Sequence, residues 1–226
     1  KLKKLRTVVN RLNKKFENPN SDKQAVVFAG EALDQLDRGK LWVKNVALRT
    51  LSGGGLARQG ITLIYGPPNC GKTHLAMLCV KDTQDSNGIA MWVQTEGRFP
   101  REAAELHGVD LDQLIVIDKQ GNAERMATAI MDFIYDKDKG VPTNLIDLIV
   151  IDSVSMMSPK GEVKKANEKG LEVEANVGEQ ARFMSLFSRL ILGTGMIGDA
   201  ALLLIGQTRI DIGGYGGPEV VAGGGK

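Results

Sequence analysis

The stretch LIYGPPNCGKTHLAML, residues 63–78, joins an apolar segment to a helical pattern through a turn rich in glycine and proline. Its residues Gly66, Gly71, Lys72 and Thr73 match the spacing GxxxxGK(S/T) of a phosphate-binding loop, and they lie between a strand pattern and a helix pattern. Backbone amides at the start of such a helix converge on an anion, which the helix dipole also favours. The stretch therefore predicts a nucleotide site on a strand–loop–helix unit.

The loop has a restricted set of phosphate donors. Pro67 and Pro68 carry no amide hydrogen, so the backbone donors must come from residues 69–73. We expect Lys72 to reach the outer phosphates and the Thr73 hydroxyl to bind Mg²⁺. The whole predicted cofactor-binding loop comprises Gly66, Pro67, Pro68, Asn69, Cys70, Gly71, Lys72, Thr73 and His74. The alternative is a glycine turn with an exposed lysine.

Around this unit, apolar runs alternate with helical patterns. The apolar runs are 61–65, 89–94, 113–117, 147–151 and 201–206, and the helical patterns are 73–81, 101–107, 123–135 and 178–192. Strands that are apolar on both faces and alternate with helices are typical of a mainly parallel sheet covered by helices. The predicted fold class is therefore α/β, with its core at residues 46–226.

A phosphate-binding loop also needs a carboxylate at the end of a neighbouring strand to hold Mg²⁺ through water. The sequence LIVID occurs twice, so Asp118 and Asp152 are both candidates. We favour Asp152 because it follows the longer apolar run, which suits a central buried strand. In this interpretation Asp118 is a solvated residue at a strand end, although spacing alone does not exclude it.

Two further strands end in polar residues. Glu96 follows the run IAMWVQT and is placed to orient an attacking water, although a glutamate at a strand end is more often a solvated surface residue. Gln207 and Arg209 end the run ALLLIGQTR on the same edge of a parallel sheet. Gln207 is a candidate sensor of a terminal phosphate, and the alternative is a buried amide satisfied by backbone.

The composition indicates the class of protein, and the N-terminal segment indicates how the chain is divided. The 226 residues are 42% hydrophobic and 25% charged with a net charge of +2, values of an ordinary globular chain. There is no apolar run of about 18 residues and no signal sequence, so we expect a cytoplasmic protein without membrane contact. Residues 1–15 are basic and carry leucines at helical spacing, which predicts an amphipathic helix followed by a linker to residue 45. Two cysteines do not make a disulfide framework.

These elements occur in an order that resembles the RecA family of ATP-dependent DNA recombinases over nearly the whole chain. The segments that resemble the family are LSGGGLARQGITLIYGPPNCGKTHL, LHGVDLDQLIVID, LIVIDSVSMMSPKGEV, GEQARFMSLFSRL and GQTRIDIGGYGGPEVVAGGGK. The resemblance implies a RecA-like ATPase core with ATP and Mg²⁺ as cofactors. It also implies catalytic roles for Glu96, Lys72 and Gln207, with Glu96 activating water, Gln207 linking the γ-phosphate to a DNA loop, and Asp152 with Ser153 as the Walker B pair.

The resemblance also implies two DNA-binding loops, the first over residues 158–177 and the second after Gln207. The residues that it places on DNA are Lys160, Lys164, Lys165, Arg182, Arg189, Arg209 and Tyr215. Arg182 and Arg189 are seven residues apart and share a helix face, which is otherwise typical of a solvated face.

The function implied by the resemblance is a homologous recombinase. Such a protein forms a helical filament, a homo-oligomer, on single-stranded DNA and exchanges strands with double-stranded DNA, while DNA stimulates ATP hydrolysis. The N-terminal helix would pack on the neighbouring protomer, with residues 24–28 adding a strand; the alternative is a helix folded on its own core. The alternative function is a RecA-fold regulatory or helicase-like ATPase without strand exchange.

The chain departs from the family at several positions. Gly97 and Ala103 stand where bacterial members commonly carry a His and an adenine-contacting Tyr, and Gly206 stands where an Asn is usual. These departures indicate a divergent member, and a phage-encoded origin, with action in the host cytoplasm, is one hypothesis. By comparison with the family we also expect the strands and any domain beyond the second loop to be absent.

Overall fold

A computed structural model of the protein describes residues 1–17, 26, 28, 39–118, 121–169, 178–209 and 220–221. The chain divides into two compact units, residues 1–39 and residues 40–226. The second unit thus begins six residues before position 46, because Leu41 and Val43 are buried in its core. The assignment of oligomerisation and ATPase roles to the two parts stays a prediction.

The first unit contains the predicted N-terminal helix, α1, over Leu2–Lys15. Asn13 holds the segment that follows, because its side-chain amide donates to the carbonyl of Val26 and accepts from the amide of Val26, both at 2.8 Å. Leu2 and Leu5 on the apolar stripe are exposed. Most of the run 24–30 lies outside the described residues.

The second unit alternates strands and helices as the sequence predicts. Its helices are α2 Val46–Leu51, α3 Lys72–Asp85, α4 Arg101–Leu106, α5 Ala123–Ile134, α6 Lys160–Lys169 and α7 Glu179–Gly193, with 3-10 turns at Leu111–Gln113 and Val154–Met156. Its strands are β1 Lys40–Leu41, β2 Leu56–Ala57, β3 Gly60–Gly66, β4 Ala90–Gln94, β5 Leu114–Ile117, β6 Tyr135–Asp136, β7 Val141–Pro142, β8 Leu148–Asp152, β9 Ala201–Arg209 and β10 Val220–Val221.

The central sheet is parallel, which confirms the predicted α/β class. In the described part of the chain, five parallel strands lie in the order β3-β9-β8-β4-β5, and β10 pairs antiparallel with the end of β9. Two small antiparallel pairs, β1 with β2 and β6 with β7, lie apart from this sheet. A parallel order in which β8 and β9 occupy the middle explains why their sequences are apolar on both faces.

The core consists of two layers, one on each face of the sheet. One layer packs Met91, Ile149 and Leu202 against α5 and α7, and the other packs Trp92 and Leu203 against α3. Alternate residues of one strand therefore serve different layers. Each fully buried large side chain contributes about 1.5–3 kcal/mol to folding.

The second layer extends to the short β1–β2 pair. Gly55, with φ of +149°, precedes β2, and a Cβ there would lie 2.2 Å from the carbonyl oxygen of Leu41. Only glycine allows this close approach of two backbones. Leu41 and Leu56 are buried as a result, so the β1–β2 pair packs on the core of the second unit.

The predicted first DNA loop is partly helical, which corrects the sequence interpretation. Residues 160–169 form α6. The segment alternates lysines with glutamates, and such a pattern supports a helix through pairs four residues apart, such as Lys164 with Glu168 at 3.8 Å. Residues 170–177 lie outside the described residues.

Among the helices within the described residues, none has the length and apolar character needed to cross a membrane.

We expect the two cysteines to differ in reactivity. Cys70 is exposed on the loop before α3, whereas Cys79 is a buried residue of α3. Burial, and to a lesser extent the negative charge of Asp82, raise the pKa of the Cys79 thiol to about 12. Because the thiolate is the reactive form, Cys79 stays protonated and inert at pH 8. Titration of the native protein with a thiol reagent should give one fast-reacting thiol, and titration in denaturant should give two.

The control for this titration is Cys70→Ser, which should abolish the fast reaction while leaving one thiol in denaturant. Two fast thiols in the native wild type would contradict the burial of Cys79.

Candidate functional site

The register of the parallel strands aligns polar residues at one edge of the sheet. Gly66 at the end of β3 lies opposite Gln207 of β9, and Asp152 of β8 lies opposite Gln94 of β4. Ile205 of β9 pairs with Asp152 and lies two residues before Gln207, so the two pairs end at the same edge of the sheet, two residues apart along the strands. The carboxyl ends of the strands, where parallel sheets bind ligands, therefore meet at the loop predicted from the sequence.

The side chain of Lys72 folds back onto the phosphate loop. The Nζ of Lys72 donates to the carbonyls of Gly66 at 3.1 Å and Pro67 at 2.6 Å, and it lies 3.7 Å from the Cys70 sulfur. Asn69 and Gly71 have φ of +61° and +89°, so the chain turns sharply before α3 begins at Lys72. Lys72 is only 8% exposed, and two backbone carbonyls hold its ammonium.

Thr73 and Asp152 form the second part of the site. The Thr73 hydroxyl donates to the Asp152 carboxylate at 2.8 Å, and Asp152 is only 6% exposed. Burial raises the pKa of the Asp152 carboxyl above its usual value, the Thr73 hydrogen bond lowers it, and the nearby Glu96 carboxylate raises it again. A buried carboxylate next to a hydroxyl offers the oxygen ligands that Mg²⁺ prefers.

Asp118, the alternative carboxylate, lies elsewhere. It is exposed after β5, the outermost strand of the sheet, and lines a separate groove with Arg125 and Asp132 of α5. Strands β4 and β8 lie in sheet order between β5 and the strands next to the loop, so the structure brings Asp152 and not Asp118 to Thr73.

Glu96 lies in the same cavity with two donors on one carboxylate oxygen. The Gln207 amide donates to Glu96 Oε1 at 2.7 Å, and the Ser153 hydroxyl donates to the same oxygen. Gln207 is itself held through its backbone amide, which donates to the Ser155 hydroxyl at 3.1 Å. Two segments that are distant in sequence from Glu96 therefore converge on its carboxylate.

These groups surround a cavity of about 430 Å³. The residues that line it are Pro68, Asn69, Gly71, Lys72, Thr73, His74, Glu96, Asp152, Ile205 and Gln207. Nearly all were predicted from the sequence. Ile205 was not, and its position one strand from Asp152 could have been found only from the pairing of β8 with β9.

Supporting residues were also missed. The Thr95 hydroxyl donates to the carbonyl of Ser153 at 2.6 Å, and the Thr95 amide donates to the carbonyl of Asp152 at 2.9 Å. These bonds join the residue before Glu96 to the end of β8. The only signal in the sequence was polar residues that end an otherwise apolar run, which does not identify their partners.

A magnesium ion bound to nucleotide phosphates fits the donors present. No group of three or more His, Cys, Asp or Glu side chains able to hold a metal occurs among the described residues. Thr73 and Asp152 would therefore supply the protein oxygens, and phosphate and water would supply the rest, as is usual for Mg²⁺. The Lys72 ammonium supplies the positive charge that a phosphate chain requires.

The residues predicted to bind DNA are only partly described. Lys160, Lys164, Arg182 and Arg189 are exposed, and the two arginines lie on α7. The side chains of Lys165 and Arg209 and the whole of Tyr215 lie outside the described part of the chain. The roles of all seven stay predictions.

Comparisons with known proteins agree in their result. A family model of the RecA N-terminal domain matches residues 3–226. The chain is 32% identical to DNA repair protein recA homolog 1, chloroplastic, of Arabidopsis thaliana over 98% of this chain and 46% of that protein. It is 33% identical to Protein RecA of Petrotoga mobilis, over 96% of this chain and 56% of that protein.

A third relative, Protein RecA of Zymomonas mobilis, is 33% identical over 95% of this chain and 62% of that protein. The chain thus spans about half the length of the curated relatives that it matches. Because the model of the RecA N-terminal domain matches residues 3–226, nearly the whole chain, this chain belongs to the RecA family.

Proposed function

We propose that the protein is an ATP-dependent recombinase that binds and hydrolyses ATP in the cavity beneath the phosphate loop. The observation that carries the proposal is that two hydrogen-bonded pairs, Thr73–Asp152 and Gln207–Glu96, line one cavity. The loop binds phosphate, the Thr73–Asp152 pair suits Mg²⁺, and a second carboxylate, that of Glu96, faces the same space. A site for nucleotide binding alone would not need that carboxylate.

Each residue has a distinct part in hydrolysis. The amides of residues 69–73 and the Lys72 ammonium hold the phosphate chain, and Thr73 with Asp152 would hold Mg²⁺, which neutralises charge on the phosphates when bound. A water oxygen attacks the γ-phosphorus, the bond from that phosphorus to the bridging oxygen breaks, and the water proton passes to Glu96. The products are ADP and phosphate.

Gln207 is placed to report the state of the nucleotide. Its side-chain amide donates to the Glu96 carboxylate at 2.7 Å. In the sequence, Gln207 lies three residues before the segment 210–219. A terminal phosphate that competed for this amide would move the end of β9. We propose that this displacement links ATP to the second DNA loop, which begins at Arg209.

The proposal extends to DNA and to assembly. One matched relative is named a DNA repair protein, and the other two are named RecA. We propose that this protein likewise forms a helical filament on single-stranded DNA and exchanges strands with double-stranded DNA. Exposed Lys160, Lys164, Arg182 and Arg189 would contact phosphates, with Lys165, Arg209 and Tyr215 completing the interface. Location in the cytoplasm stays a prediction.

Glu96→Gln should separate binding from turnover. The amide is nearly isosteric with the carboxylate but cannot take a proton, so kcat should fall about 10²- to 10⁴-fold while ATP still binds. Steady-state ATPase assays together with titration of a fluorescent ATP analogue measure both quantities. Turnover at the wild-type rate would remove Glu96 from the catalytic role.

The two LIVID segments provide a matched pair of variants. Asp152→Ala should lose Mg²⁺-dependent hydrolysis because Thr73 loses its carboxylate partner, whereas Asp118→Ala should retain it because Asp118 lies on the far strand. Mg²⁺ titrations of ATPase activity compare the two. If only the Asp118 variant were inactive, the assignment of the metal carboxylate would be wrong.

Recombinase function predicts DNA-stimulated hydrolysis. ATPase activity should rise when single-stranded DNA is added, and electron microscopy should show filaments in ATP that disappear in the Lys72→Ala variant, which lacks the phosphate-binding ammonium. ATPase activity without DNA stimulation and without filaments would support a regulatory or helicase-like ATPase instead.

A further inference from the structure

We propose that Gln94 is a positioning residue for Glu96 and that the indole of Trp92 fixes its orientation. The inference deepens the proposed ATPase function and rests on it. Neither side chain lines the cavity, and both are buried on β4, Trp92 completely and Gln94 with 2% exposure. They can therefore influence ATP hydrolysis only through another residue, and their hydrogen bonds lead to Glu96.

The chemistry of the three groups allows one orientation of the Gln94 amide. An indole N–H can only donate, and the Nε1 of Trp92 donates to Gln94 Oε1 at 2.9 Å. The amide oxygen therefore faces Trp92, and the amide nitrogen faces forward along the chain. There, Gln94 Nε2 donates to the backbone carbonyl of Glu96. A flipped amide would set two donors against each other at Trp92 and two acceptors against each other at Glu96.

Trp92 is a rigid anchor for this orientation. Its ring packs edge-to-face against Phe99, with centroids 6.0 Å apart and planes at 90°, and it belongs to the core layer beneath α3. Strand β4 is paired on both sides, with β5 and with β8. An indole held by packing on a doubly paired strand has little freedom to rotate.

The two hydrogen bonds from Trp92 to Gln94 and from Gln94 to Glu96, here called the relay, fix the point where the chain leaves the sheet. On one side, Thr95 is bonded to the carbonyls of Asp152 and Ser153; on the other, Gln94 holds the carbonyl of Glu96. The next residue, Gly97, has φ of +49°, so the chain turns directly afterwards. Because the Glu96 backbone is held at both ends of this short exit, its carboxylate meets Ser153 and Gln207 in one place.

The test compares Trp92→Phe and Gln94→Met, which keep an aromatic ring and an unbranched chain of similar length. The two variants should lower kcat about tenfold or more and leave the dissociation constant for ATP unchanged, since misplacing a reacting group by about 1 Å costs up to 10²-fold. A loosened fold would instead weaken ATP binding as well.

Double variants show whether the three residues act in series. If Trp92 acts only through Gln94, Trp92→Phe should have no further effect in a Gln94→Met protein, and neither change should lower kcat further in Glu96→Gln. The matched control is Met91→Leu, which alters a buried side chain of the same strand that belongs to the opposite core layer. Its kcat should equal that of the wild type.

A readout independent of ATPase activity tests the hydrogen bonds themselves. The chain has 2 tryptophans, Trp42 exposed and Trp92 buried, so a nitrogen-15 spectrum should give two indole signals. Gln94→Met should shift the Trp92 signal and speed hydrogen exchange at residues 95–97, and leave the Trp42 signal in place. Trp92→Phe identifies the signal.

Different results would contradict the ATPase function and the positioning role of Gln94. An inactive wild type whose Trp92 signal responds to Gln94→Met would contradict the ATPase function while retaining the relay. An active wild type in which Gln94→Met leaves kcat and exchange at residues 95–97 unchanged would overturn the inference, as would additive effects of Trp92→Phe and Gln94→Met.

Discussion

The alignment of parallel strands is the constraint on which the site depends. Backbone pairing places Gly66 opposite Gln207 and Asp152 opposite Gln94, so strand ends from four distant parts of the sequence lie at the same edge of the sheet. A shift by one residue in any of these strands would turn its last side chain to the other face of the sheet. The buried layers on both faces oppose such a shift, because each strand would lose its apolar contacts. Core packing thus fixes the positions of the side chains that line the cavity.

The same arrangement concentrates negative charge in a buried place. Asp152 and Glu96 both face the cavity, and burial together with Glu96 raises the pKa of Asp152, which shows that the fold disfavours its charged form. A cation relieves this cost, as does the Thr73 hydrogen bond. The site is consequently better matched to a nucleotide that carries a metal ion than to phosphate alone.

The sequence predicted the local parts of the site better than the tertiary ones. The phosphate loop is a contiguous motif, and Asp152 could be preferred over Asp118 because a long apolar run indicates a central strand. The helix α6 was missed because the family resemblance implied a loop over residues 158–177, although Lys164 and Glu168 have helical spacing. Gln94 was missed for a different reason: its meaning depends on an indole and a carbonyl that only the folded strand brings to it.

The position of Lys72 has a consequence for affinity. Long lysine side chains lose conformational entropy when a ligand immobilises them, by up to about 2 kcal/mol. Here the carbonyls of Gly66 and Pro67 already hold the ammonium, so that loss belongs to folding rather than to binding. The arrangement also depends on a compact charge with three rotatable donors. The planar fork of an arginine, although equally positive, has a different donor geometry, so a lysine and an arginine are not interchangeable at this position.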